Sequence, residues 1–233
     1  MQFTVKELTK LNIKFTISSS VSFANSLRRI LLGEVPSIAI DVVEIKENST
    51  VLPDEMVANR LGLVPIKYAG SLIPKQECKC DGFCDQCSIK FILKKRNDTD
   101  SVISVNGQDL QTDVPGVHCS AALILRLAPG QKLDMICIAT IGTPQTHVKY
   151  CPVTVVGFSY DVRNKTRETK LWAEDDAKKE WPGINQSDEI EWGEIEDVEM
   201  NLEVVEGMGK PKEVLLKALE IYKSKMEKIL DSI

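Results

Sequence analysis

Val21-Ser22-Phe23-Ala24-Asn25-Ser26-Leu27-Arg28-Arg29-Ile30-Leu31-Leu32 is the stretch around which the 233-residue chain is organised. Ser20 precedes it and can accept from a free backbone N–H, which predicts a helix N-cap. Gly33 follows the last apolar residue, where a left-handed C-terminal turn would need it, and Pro36 forbids continuation. Val21, Phe23, Ala24, Leu27, Ile30 and Leu31 recur at helical spacing and make an apolar face wider than one stripe. Arg28 and Arg29 are adjacent, so at least one of them points to solvent or to a partner. The spacing fits a helix of the chain's own core and equally a helix buried against another subunit.

The second broad apolar helix is expected from about Pro211 to Leu230, with proline in its first turn. Leu215, Leu219, Tyr222, Met226 and Ile229 step by four and three, and Val214, Ala218 and Ile221 widen the stripe. Core packing and subunit pairing again fit this face equally.

Between these helices the period is mostly two. Phe3 and Val5, then Leu11, Ile13, Phe15 and Ile17, read as two half-buried strands before the first helix. Ile38, Ile40, Val42 and Ile45 make another strand, and Leu52 to Gly62 reads as a short helix with proline and acids at its start. Ile89, Phe91 and Leu93 alternate as a strand. Ala121–Leu127 and Leu133–Ile141 read as an antiparallel pair joined at Pro129-Gly130. Val153–Tyr160 and Val198–Val204 are the last strands. The polar, acidic stretch from about Asp161 to Trp192 has no periodicity and reads as an extended segment anchored by Trp172, Trp181 and Trp192.

Cys78, Cys80, Cys84 and Cys87 carry the clearest chemistry, in the spacing C-x-C-x3-C-x2-C. Four thiolates on so short a loop can converge on a tetrahedral centre, with Gly82 supplying the turn between the pairs. Zinc is the default ion, because four sulfurs leave no open position; an iron–sulfur cluster also uses four cysteines. Such a closed site folds a loop and catalyses nothing. Cys119, Cys137 and Cys151 stand alone in apolar surroundings and read as buried small residues.

Composition bounds the rest. Hydrophobic residues make up 43% and charged residues 27%, and the net charge is −5, which argues against a phosphate-gripping chain. Lys94-Lys95-Arg96 is the single basic cluster that favours an autonomous nucleic-acid-binding zinc module. His118 and His147 are the only histidines, and neither has a nucleophile or carboxylate beside it in a recognisable arrangement. No apolar run is long enough to span a bilayer, and no signal-peptide core is seen at the N-terminus.

Ala24-Asn25-Ser26-Leu27-Arg28-Arg29-Ile30 with Glu34-Val35-Pro36 resembles the signature of the alpha-like subunits of DNA-directed RNA polymerases. Arg60-Leu61-Gly62-Leu63-Val64-Pro65 is similar to that family too, as are Gly142, His147, Lys149, Tyr150 and Pro152, in the same order along the chain. Asn59 stands where the family often has histidine. The cysteine spacing and the Trp172–Pro182 stretch look most like the third-largest subunits of eukaryotic RNA polymerase II. That resemblance implies an α+β subunit with a discontinuous dimerisation domain, residues 1–36 and 153–233, of mixed sheet and two long helices. Residues 37–152 would be an inserted mostly-β domain holding one structural Zn2+ in loop 78–87.

The resemblance further implies a heterodimer with the small alpha-like subunit, made through Phe23, Leu27, Arg28, Ile30, Leu31, Leu215, Leu219, Tyr222, Met226 and Ile229. The heterodimer would dock the second-largest subunit and small zinc-binding subunits, in the nucleus. No membrane is implied, and nucleic acid is met only through the assembled complex. Nucleotidyl transfer would lie in the large subunits, since no carboxylate cluster for two-metal chemistry is evident here. An isolated chain of this kind is expected to be poorly soluble until its helices are covered.

Overall fold

The computed structural model of the chain describes residues 2–160 and 197–232. The expected tryptophan-anchored segment therefore lies outside the described residues. The fold is α+β, with two separate hydrophobic cores.

The first core belongs to a four-stranded antiparallel sheet under two helices. Strands β1 (Gln2–Leu8), β2 (Asn12–Ser18), β11 (Asp197–Val204) and β10 (Val153–Tyr160) form it, in the spatial order β1-β2-β11-β10. Alternation in β2 and β11 puts Ile13, Phe15 and Ile17 on the same face as Val198, Met200 and Leu202, all buried. Helix α1 (Val21–Gly33) and helix α3 (Pro211–Leu230) lie over that face and against each other. Ala24, Leu27, Ile30 and Leu31 of α1 meet Val214, Leu215 and Ala218 of α3 in this core. Ser20 caps α1 as expected, accepting from the Phe23 N–H at 3.3 Å.

The second core lies within residues 38–141. Its main sheet is β3 (Ser37–Asn48), β9 (Lys132–Gly142) and β5 (Ser88–Arg96), antiparallel, with β9 in the middle. Helix α2 (Asp54–Gly62) buries Val57 and Leu61 against it. Two small antiparallel ladders complete it: β4 (Ile66–Tyr68) with β7 (Val117–Cys119), and β6 (Ile103–Asn106) with β8 (Leu123–Leu127).

Tyr150, in the turn between β9 and β10, packs onto the β3–β9 sheet of the second core. Its hydroxyl shares a hydrogen bond with Thr140 at 2.9 Å, and its carbonyl accepts from Ser37 at 2.6 Å. Lys149 sits over the ring, 5.2 Å from its centroid, and pairs with Asp41 at 2.6 Å. Gly142 lies so close that an added Cβ would be 2.6 Å from a ring carbon.

Three expectations need correction. β1 is not half-buried: it is the sheet's edge, past the cover of the helices, and Phe3, Val5 and Leu8 are exposed. Pro129-Gly130 does turn the chain, with Gly130 at φ +77, but β8 and β9 do not pair. Both edges of β9 are already occupied by β3 and β5, so β8 pairs with β6. Asn97, fully buried, organises this corner: its side-chain amide donates to the Leu127 and Ser101 carbonyls, and its backbone N–H to Gln131. Finally, Gly33 is not a left-handed cap. Helix α1 runs through it, Glu34 caps by donating to the Ile30 carbonyl, and the Gln145 side chain packs 3.7 Å from where a Cβ would stand.

Candidate metal centre and assembly surface

The cysteine loop sits between β4 and β5, and β5 carries its second half into the sheet. Ser88 begins that strand, and its N–H and hydroxyl both donate to the Cys84 carbonyl at 2.9 Å. Cys87 donates to the same carbonyl at 3.0 Å, closing a tight turn that aims Cys84 and Cys87 to one side. On the other half, Glu77 and Cys78 donate to the Pro74 and Lys75 carbonyls and turn the chain toward the same point. Gly82, at φ +88, makes the bend between the two pairs, and among the described residues nothing lies within 4 Å of an added Cβ, so conformation demands the glycine.

The four Sγ atoms converge. Cys78–Cys80 is 3.4 Å, Cys78–Cys84 3.6 Å, and Cys80–Cys87 and Cys84–Cys87 are both 3.7 Å. Four sulfurs about 2.3 Å from one tetrahedral centre would lie ~3.8 Å apart, so these residues fit a single ion. An iron–sulfur cluster spreads its four thiolates over two or more irons and would hold thiolates on different irons further apart. All four cysteines are free thiols, and Cys87 is buried. The Gln86 backbone N–H, and after it the Cys80 thiol, hold the Cys84 thiol down at about 7, which favours the thiolate that a metal needs.

One neighbour of this centre went unnoticed in the sequence. Lys75 brings its ammonium to the loop, donating to the Cys80 sulfur and carbonyl at 3.3 Å each and also to the Gly82 carbonyl. The hydrogen bond to Cys80 pushes the Lys75 ammonium above its ordinary value. A lysine three positions before the first cysteine was the available signal, but spacing alone does not show which way it folds. By contrast, burial pushes the Cys119 and Cys137 thiols up to about 11 and about 12, in keeping with inert core residues.

The ten residues expected on the helices divide by direction. Leu27, Ile30, Leu31 and Leu215 are buried in the chain's own core, so they carry α1 and α3 on the sheet and present nothing outward. They form the inner half of the wide stripe, and that half is packed within the chain. Phe23 and Tyr222 are half-buried and meet edge to face, ring centroids 5.1 Å apart, and Leu219 is half-buried beside them. Arg28 turns its Nε onto the Val156 carbonyl at 3.1 Å, while Arg29 is exposed. The second half of α3 leaves the chain's core: Met226 is 39% exposed, Ile229 52% and Leu230 70%. Lys225 anchors this half with an ion pair to Glu34 at 2.5 Å.

The other candidates are absorbed by local structure. Lys94, Lys95 and Arg96 pair with Asp134, Asp109 and Asp98, so the basic cluster faces carboxylates already within the chain. His147 uses Nδ1 to accept the Lys149 N–H at 3.1 Å, capping a short 3-10 turn over Val148–Tyr150. His118 is exposed on β7. Among the described residues no helix is long and apolar enough to cross a membrane.

The chain resembles proteins of known role over most of its length. It is 31% identical to the DNA-directed RNA polymerase II subunit RPB3 of Schizosaccharomyces pombe, over 96% of this chain and 84% of that protein. It is 35% identical to subunit 3 of the Arabidopsis thaliana DNA-directed RNA polymerases II, IV and V, over 67% of this chain and 56% of that one. An archaeal subunit, Rpo3 of Methanothermobacter thermautotrophicus, is 32% identical over 69% of this chain and 62% of its own length. The chain thus spans somewhat over half the length of the latter two relatives. Residues 15–226 match the family described as the RNA polymerase Rpb3/Rpb11 dimerisation domain. The chain belongs to that family, the alpha-like subunits of DNA-directed RNA polymerases.

Proposed function

We propose that this chain is the third-largest-type subunit of RNA polymerase II, a non-catalytic platform for mRNA transcription in the nucleus. The observation that carries the reading is the exposed apolar run Met226, Ile229 and Leu230 on α3, beside the Phe23–Tyr222 contact, in a member of a dimerisation family. On this reading the outer faces of α1 and α3, not their inner faces, receive the small alpha-like subunit. The two separate cores support the division into a dimerisation domain, residues 1–36 and 153–233, and an inserted domain, residues 37–152. The inserted domain and its loop then offer surfaces to the second-largest subunit and small zinc-binding subunits. Nucleic acid is met only through the assembled enzyme, in keeping with the ion-paired basic cluster.

The ion of the cysteine loop is one structural Zn2+ on this reading, because the sulfur spacing fits one tetrahedral ion and four thiolates leave no open position. The four-cysteine loop and the match over 96% of the chain favour the polymerase II type. The archaeal relative keeps a second reading alive, an Rpo3-type subunit.

Light scattering after co-expression with a small alpha-like subunit tests the proposal. A one-to-one heterodimer with the polymerase II partner, and aggregation of the chain alone, is the expected outcome. Met226→Glu with Ile229→Glu should split that heterodimer. A monomer indifferent to this partner would sink the pairing, and a preference for the archaeal partner would favour the second reading.

A further inference from the structure

Lys75 stands in an unusual position for an ordinary surface lysine. It lies three residues before Cys78, outside the ligand set, yet all three of its N–H bonds are directed into the loop. One goes to the Cys80 sulfur at 3.3 Å, one to the Cys80 carbonyl at 3.3 Å, and one to the Gly82 carbonyl. The ammonium also lies over the Phe83 ring, 5.5 Å from its centroid. The same side chain thereby touches a ligand sulfur, that ligand's own backbone and the glycine bend joining the two cysteine pairs.

The charge at this place explains why a cation belongs there. Four thiolates around one divalent ion carry a net charge of about −2. Glu77, Asp81 and Asp85 lie exposed in the same loop and add to it, and Lys79 is exposed as well. A half-buried anionic centre of this kind needs a compensating cation or donors to its sulfurs. Among the described residues Lys75 is the one cation whose ammonium donates to a ligand sulfur.

We propose that Lys75 is a positioning residue of the metal centre: its ammonium balances the four-thiolate charge and fixes Cys80 in ligating geometry. This rests on the reading of the cysteine loop as a single-ion site. Hydrogen bonding to Cys80 lowers the energy of its sulfur lone pairs, and the two carbonyl contacts hold the Cys78–Cys84 half of the loop closed before metal arrives. Removing the charge should weaken metal binding while leaving the four ligands in place.

The test uses the 233-residue chain, stripped of metal and reloaded with Zn2+ or Co2+ against a chromophoric chelator. Wild type should take up one equivalent and show the spectrum of Co2+ held by four thiolates. Lys75→Gln keeps a neutral donor and removes the charge; Zn2+ affinity should fall about 10–100-fold. In the Co2+ form its sulfur-to-metal charge-transfer band should move to longer wavelength. Lys75→Arg keeps the charge and should recover most of the affinity and the band position. Phe83→Ala, which removes the ring and no donor to the sulfurs, should leave the band where it is. Lys75→Gln with wild-type affinity and band would overturn the proposal, and so would Lys75→Arg as weak as Lys75→Gln. A wild-type chain without a four-thiolate spectrum would instead remove the metal-centre reading itself, and that failure is seen before any variant is made.

Discussion

Gly142→Ala is the sharpest test of how the Val148–Tyr150 turn is packed on the β3–β9 sheet. An added Cβ would stand 2.6, 2.7 and 2.8 Å from three carbons of the Tyr150 ring. Ordinary carbon–carbon contact is about 3.5–4.0 Å, so the ring must retreat by ~1 Å. Tyr150 is only 5% exposed and has no space to retreat into without disturbing its neighbours. Overpacking of this kind costs about 1–3 kcal/mol. A retreat of that size also stretches the 2.9 Å bond between the Tyr150 and Thr140 hydroxyls beyond hydrogen-bonding range. Thr140 is 3% exposed, and its unpaired hydroxyl adds about 1 kcal/mol or more. The total expected loss is about 2–4 kcal/mol. Gly157 is the internal control, because among the described residues nothing lies within 4 Å of its added Cβ. Gly157→Ala should be neutral or stabilise by up to ~1 kcal/mol, through the unfolded chain. Urea denaturation followed by circular dichroism, on the chain with its partner subunit, reads both. A Gly142→Ala protein within ~0.5 kcal/mol of wild type would show that the Tyr150 ring is not held rigidly against β9.

Three further outcomes follow from other parts of the molecule. Leu27→Ala should cost about 3–4 kcal/mol in the same denaturation assay, because the side chain is fully buried among α1, α3 and the sheet. Met226→Ala should leave stability within ~0.5 kcal/mol yet weaken the heterodimer, measured by its dissociation constant; equal effects of the two would erase the distinction between inner and outer faces. Glu199 accepts from Lys14 at 2.8 Å and from Lys6 at 2.5 Å, and these contacts, Lys14 first, hold its carboxyl below the ordinary carboxylate value. Its folded value is thus lower than its unfolded one, so its contribution is present above the unfolded value and is lost as pH falls through the folded one. Glu199→Gln should flatten the acid limb of the unfolding midpoint against pH by no more than ~1 kcal/mol, and an unchanged limb would refute the network.

What the sequence made legible was whatever is local. The Ser20 cap, the period of α1 and α3, the alternation in β2, β5 and β11, and the cysteine spacing each depend on residues a few positions apart. The misplaced features depend on neighbours far along the chain. Nothing in Ala121–Leu127 says that both edges of β9 are taken. Phe3 and Val5 alternate as a buried strand would, but their exposure follows from where the two helices stop covering the sheet. The width of the α1 stripe was visible, and its division was not, because Leu27 and Phe23 belong to one stripe until α3 and the sheet are placed. Lys75 was invisible for the same reason: its role appears only when the loop brings Cys80 and Gly82 back to it.

The pairing of β2 with β11 sets an order on how the protein comes into being. Ser18 donates to Asp197 at 2.6 Å across a separation of 179 positions. A ribosome delivers α1 and β2 first and β10, β11 and α3 last. Everything needed for the core within residues 38–141 has been delivered well before then, so that core is free to close while synthesis continues. The N-terminal helix meanwhile has no floor for Leu27 and Leu31 until the last strand and helix arrive. A chain halted between Gly142 and Asp197 therefore carries a finished middle and an apolar helix without its full floor, a surface of the kind that chaperones and proteases recognise. The helix that would meet a partner thus gains its sheet only when the last strand and helix of the chain have arrived.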